Sequence, residues 1–103
     1  MYVKVKPREL TIEEFNALNY LSEQNTPVDI LTINSIQILR TPKFIDTFCA
    51  ITLPSNAVAY VNNVSEKLSK PETITLIEKS QDCYLITDKG KRYVEYYHDY
   101  ILV

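Results

Sequence analysis

Asn56, Ala59, Asn63, Glu66 and Lys70 recur at the spacing of one face of a helix drawn from Ser55 to Ser69. Ser55, Tyr60, Asn62 and Lys67 flank that face. An asparagine amide pairs with adenine through two hydrogen bonds, and a lysine ammonium reaches phosphate or guanine. These residue types therefore suit the base edges and backbone of a duplex. Lys79 and Gln81 sit in a short polar tip, Lys79 to Asp82, between two apolar runs, and add one cation and one amide. A plain solvated helix face with a Glu66–Lys70 pair is the competing account of the same pattern.

Cys49, Cys83 and His98 are the other side chains with reactive chemistry. Cysteine catalysis needs a base in reach to form thiolate, and a structural metal wants four ligands. Cys49 falls at a helix end, Cys83 in a hairpin and His98 on the outer side of the last helix, so neither set assembles. Glu13 and Glu14 are adjacent and diverge around a helix rather than share a proton. The expectation is no catalytic residue, no metal and no cofactor. The cysteines read as two half-buried thiols, with a disulfide as the alternative. The single glycine excludes the glycine-rich loops that cradle phosphates or dinucleotides.

A chain of 103 residues supports one domain, 1–103, with a modest core. Its 46% hydrophobic and 23% charged residues are ordinary for a folded protein and argue against disorder. No apolar run is long enough to span a bilayer, and the N-terminus has no signal-like apolar stretch, so a soluble cytoplasmic protein is expected. The net charge of −2 hides an uneven distribution. Residues 40–92 carry eight basic against six acidic groups, so any positive surface is local.

Residues 2–6, YVKVK, alternate as an edge strand or arm would, within an N-terminal stretch 1–9. Helix Leu10–Asn25 is opened by a Thr11–Glu14 capping box and a Leu10–Phe15 staple, with Phe15, Leu18 and Leu21 inward and Ile12 widening the apolar side. Pro27 stops it. Residues 28–40 lean to an extended piece at 28–31 and a helix from Ile33 to Arg40, capped by Thr32 or Asn34. Two short strands turning near Asn34-Ser35 are the alternative. Thr41-Pro42 restarts a helix whose stripe is Phe44, Ile45 and Phe48. The ITL step after Ala50 reads as a tight turn. Helix 55–69 then buries Ala57, Val61, Val64 and Leu68. Thr73–Lys79 and Cys83–Thr87 form a hairpin, and residues 88–103 form a helix with Tyr93, Tyr97, Tyr100 and Ile101 as its stripe, widened by Val94 and Tyr96.

Taken together, TPKFIDTFCA-ITL-PSNAVAYVNNVSEKL and ETITLIEKSQDCYLITDKGKRYVEYY resemble the winged helix-turn-helix superfamily of prokaryotic, archaeal and viral transcription regulators. The resemblance implies an α+β fold with a three-helix core, a two-stranded wing and a C-terminal helix. It implies a regulator that reads the major groove of double-stranded DNA with helix 55–69 through Ser55, Asn56, Tyr60, Asn63, Lys67 and Lys70. Lys79 and Gln81 at the wing tip would lie along the backbone. It also implies a homodimer through Tyr93, Tyr96, Tyr97, Tyr100 and Ile101, against the alternative that this stripe folds back on the first helix. The competing function is a winged-helix module that binds a protein and no DNA.

Overall fold

Thr11 and Glu14 start the first helix, α1 (Ile12–Ser22), as the capping box requires: Thr11 Oγ1 accepts the Glu14 N–H at 3.2 Å and Glu14 Oε1 accepts the Thr11 N–H at 3.0 Å. The same carboxylate takes two guanidinium bonds from Arg8, at 2.8 and 2.7 Å. That pairing, opposed by burial and reinforced by the cap, holds the Glu14 carboxyl below its ordinary range. Leu10, Phe15, Ala17, Leu18 and Leu21 are buried. Ile12 is 51% exposed and does not widen the apolar side. The computed structural model describes residues 7–24, 26–39 and 47–101. The YVKVK segment and the Thr41-Pro42 restart with Phe44 and Ile45 lie outside the described residues.

The chain is α+β. Strand β1 (Val28–Asp29) is only two residues long because Asp29 turns it into a helix: Asp29 Oδ1 accepts the Thr32 N–H at 2.7 Å. Helix α2 (Ile30–Ser35) therefore begins three residues before the expected Ile33 and ends well short of Arg40. Ile36 is extended, and residues Gln37–Leu39 form a separate 3-10 turn that buries Leu39. Capping by an acid at Asn- and Thr-rich sequence decided the start, ahead of the threonine and asparagine candidates.

Residues 47–49 are helical, and Phe48 is fully buried. The ITL step that follows is not a turn. It is strand β2 (Ile51–Leu53), paired antiparallel with β3 (Glu72–Ile74), with Ile51 opposite Ile74 and Thr52 opposite Thr73. Both isoleucines are buried, and the two threonine hydroxyls bond across the pair at 2.8 Å. Alternating apolar residues favour a ladder when a partner is available. The partner comes from the 73–79 run, which divides at Thr75-Leu76: its first half joins β2 and its second half, β4 (Ile77–Ser80), joins another sheet.

In that second sheet strand β5 (Cys83–Ile86) lies between β1 and β4, giving the order β1-β5-β4, all antiparallel. Strands β4 and β5 form a hairpin closed by Gln81-Asp82, with Gln81 at φ 56°. Tyr84 and Ile86 point inward with Ile77.

Helix α3 (Ser55–Asn62) is half the expected length. Asn63 adopts the left-handed conformation (φ 56°, ψ 49°), and the Val64 N–H bonds the Ala59 carbonyl at 3.0 Å, a Schellman-type stop. Asparagine tolerates that conformation, so the helix ends there, although the apolar spacing continues. Val64 and Leu68, expected in the core, are 53% and 82% exposed, and Glu66–Leu68 form a 3-10 turn.

Helix α4 (Asp88–Tyr96) is launched by Thr87, whose hydroxyl accepts the Gly90 N–H at 3.0 Å and donates to the carbonyls of Thr75 and Leu76. It packs against both α1 and α3 and continues as a π-helical turn, Tyr97–Ile101. The strand crossing at Leu76 lies so close to α4 that a Cβ on Gly90 would collide with the Leu76 carbonyl oxygen. In an open helix, Gly→Ala stabilises by about 1 kcal/mol. Here Gly90→Ala is expected to destabilise by about 1–3 kcal/mol in urea unfolding, because backbone must move. A stabilised variant would contradict this packing.

Candidate functional site

The helix stripe of tyrosines is used inside the chain. Tyr93 is fully buried; its hydroxyl accepts the Leu10 N–H at 3.4 Å, and burial pushes its phenol far above the ordinary value. Tyr97 stacks on Phe15 with ring centroids 4.2 Å apart and donates to the Leu10 carbonyl at 3.3 Å. Tyr96 is buried, with its hydroxyl accepting from the Asn56 amide at 2.7 Å and lying 3.5 Å from Glu9 Oε1. The fold-back on α1 is therefore what occupies Tyr93 and Tyr97. Of the expected dimer contacts, Tyr100 is 64% exposed and Ile101 half-buried. The wider π turn after Tyr96 leaves Tyr100 at the surface.

Tyr100 belongs instead to a groove of about 910 Å³ between α3 and α4. Its α3 side is Asn56, Ala59, Tyr60 and Asn63, continuing to Val64 and Glu66. Its α4 side is Arg92, Glu95, Tyr96, Tyr100 and Ile101. The rings of Tyr60, Tyr96 and Tyr100 form a cluster with centroids 5.4 to 5.7 Å apart. Burial, then the carboxylates of Asp99 and Glu95, push the Tyr60 phenol above its ordinary value. Burial, then Glu9, do the same to Tyr96, with Glu66 adding a smaller push. The surroundings of the aromatic cluster are acidic, and among the described residues Arg92 is the one cation lining the groove.

The residues expected to meet DNA are thereby divided. Asn56 is bonded to Tyr96, Tyr60 is half-buried in the aromatic cluster, and Ser55 is half-buried at the start of α3. Asn63 is exposed but serves as the helix stop. Lys67 and Lys70 are exposed beyond the end of α3, not on one continuous helical face. Lys79 lies over the Tyr84 ring at 5.5 Å, and Gln81 is exposed at the hairpin turn. Arg92 and Glu95 lie outside the face expected from the sequence. The signal in the sequence that puts Arg92 on one side of α4 with Tyr96 and Tyr100 is their i, i+4, i+8 spacing.

Cys49 and Cys83 are both half-buried and form no disulfide. Among the described residues no cluster of three or more His, Cys, Asp or Glu is placed to hold a metal ion, and no helix is long and apolar enough to cross a membrane. His98 sits edge-on to Phe15 with centroids 5.0 Å apart, on the exposed side of the π turn. No family model, curated protein or solved structure matches the chain.

The Asn56–Tyr96 bond makes the α3–α4 contact testable. A double-mutant cycle with Asn56→Ala and Tyr96→Phe is expected to give a coupling energy of about 0.5–1.5 kcal/mol in urea unfolding. Additive effects would mean that Asn56 is free of α4.

Proposed function

We propose that the chain is a winged-helix-type domain acting as a protein-interaction module, docking a partner through the groove between α3 and α4. One observation carries this reading: Asn56 and Tyr60 of α3 are engaged by α4, and the seam beside them is lined by carboxylates rather than by a positive field. Asn56 is bonded to Tyr96, and Glu66 and Glu95 line the groove beside Tyr60 and Tyr100. Phosphate would be repelled there, because duplex binding relies on lysine and arginine displacing condensed counterions. The groove also leaves apolar surface in place, with Val64 and Tyr100 exposed and aromatic rings clustered at its floor. Tyrosine-rich surface with a polar rim is the composition of protein interfaces.

The strand order β1-β5-β4, with β1 set between the first two helices and the hairpin leading into a closing helix, favours a second reading. In it the domain is a DNA-binding regulator that uses Asn63, Lys67, Lys70, Lys79 and Gln81, all of them exposed. A homodimer in either reading would rest on Tyr100 and Ile101 at the surface rather than on the buried tyrosines.

A photo-crosslinking residue at position 100, compared with one at the exposed Leu31, separates the two. The module reading expects a discrete protein adduct from position 100 and none from position 31, together with no salt-sensitive shift of duplex DNA. A DNA shift that Lys67→Ala weakens for all sequences and Asn63→Ala weakens selectively, without the adduct, would replace it with the regulator.

A further inference from the structure

The groove has a chemical preference that follows from its charges and rings. Glu66 and Glu95 line it, both are exposed, and neither carboxylate has an ion-pair partner among the described residues. Arg92 on the same wall also lacks one among them, so the described lining carries one positive against two negative groups. Asp99 and Glu9 extend the acidic field over Tyr60 and Tyr96 from just outside the lining. The tyrosine rings add negative π faces, and a cation over such a face is attracted more strongly when carboxylates stand beside it. The volume, about 910 Å³, is at the upper end of the roughly 300–1,000 Å³ typical of ligand clefts and admits a side chain with its neighbours.

We infer that the α3–α4 groove takes a basic segment of a protein partner, an arginine or lysine side chain laid against Tyr60 and Tyr100 with Glu66 and Glu95 as its counter-charges. This rests on the docking role proposed above and assigns the class of partner. Arginine suits the site best: its planar guanidinium stacks on a ring while donating to a carboxylate. The apolar flank at Val64 and Ile101 accommodates an aliphatic neighbour of that arginine. Arg92 sets the register, because it excludes a second cation from its own end of the groove.

The probe is a short fluorescein-labelled peptide of arginine, leucine and serine, with a glutamate-for-arginine peptide as its counterpart, titrated by anisotropy against the full chain. Saturable binding is expected for the arginine peptide alone. It weakens about fivefold with Tyr100→Ala and about tenfold with Glu66→Gln and Glu95→Gln together. It tightens about twofold to threefold with Arg92→Gln, which relieves like-charge repulsion. All four positions are at the surface, so unchanged thermal unfolding of each variant shows that the fold is intact.

Equal binding of the glutamate peptide, weakened by Tyr100→Ala, would overturn the basic assignment while leaving the docking role in place. Arginine-peptide binding that none of the four substitutions alters would overturn it as well, as would no binding of either peptide. In both cases the crosslink from position 100 decides the docking role separately. Displacement of the arginine peptide by spermidine at equal potency would identify a small polycation as the occupant and reject the protein segment. Duplex DNA that displaces the arginine peptide from the unaltered chain, and loses that ability with Tyr100→Ala, would likewise reject it.

Discussion

The Leu76 carbonyl is the junction on which the rest of the chain depends. It accepts the Thr87 N–H at 3.0 Å and the Thr87 hydroxyl at 3.0 Å, and it lies against Gly90. The Leu76 N–H in turn donates to the Phe48 carbonyl at 2.8 Å. One residue therefore ties the helical segment at 47–49, the crossing between two small sheets and the start of α4. The only glycine in the chain stands where α4 passes closest to that crossing. Without a Cβ the helix approaches backbone directly, and its direction over α1 and α3 is set there. Leu76 and Ile77 are fully buried, so this polar junction is enclosed by core. A buried carbonyl left without its partners would cost on the order of 1–3 kcal/mol, which favours keeping the whole arrangement.

From that junction α4 acts as the central element of the helical layer. Toward α1 it spends Tyr93 and Tyr97, whose hydroxyls satisfy the backbone of Leu10 just ahead of the capping box. Toward α3 it spends Tyr96, whose hydroxyl meets Asn56. What remains outward is a wall of Arg92, Glu95 and Tyr100, opposite the exposed residues at the end of α3. The groove is thus a by-product of helix packing that leaves charged groups without ion-pair partners among the described residues, beside the exposed ring of Tyr100, at one seam. Burial accounts for the inner tyrosines. It does not account for Tyr100, Val64 and Leu68, which expose apolar surface that a closed monomer would be expected to cover.

Much of this was legible in the residues. The capping box at Thr11–Glu14, the inward Phe15, Leu18 and Leu21, the hairpin around Gln81-Asp82 and the Thr87 start of α4 follow from local chemistry that tertiary packing reinforces. The misses have physical causes. Apolar spacing carried helix 55–69 through Asn63, yet a single left-handed residue ended it, and periodicity is blind to that choice. The ITL step is too short to display a period, and only its distant partner Glu72–Ile74 makes it a strand. Asp29 outcompeted Thr32 and Asn34 as a cap, which moved α2 forward. The polar face of α3 was visible as residue types, whereas what it faces was not, because that depends on how α4 crosses it.

Helix α3 ends at Asn62, and Asn56 on its polar side is bonded to α4. Backbone carbon chemical shifts, with side-chain NOEs of Asn56, test it most directly on the intact chain. Helical shifts are expected from Ser55 to Asn62, with a left-handed signature at Asn63 and NOEs from the Asn56 amide to the Tyr96 ring. Helical shifts running unbroken to Ser69, with the Asn56 amide showing no contact to Tyr96, would contradict it. That result would restore a long, free polar helix face.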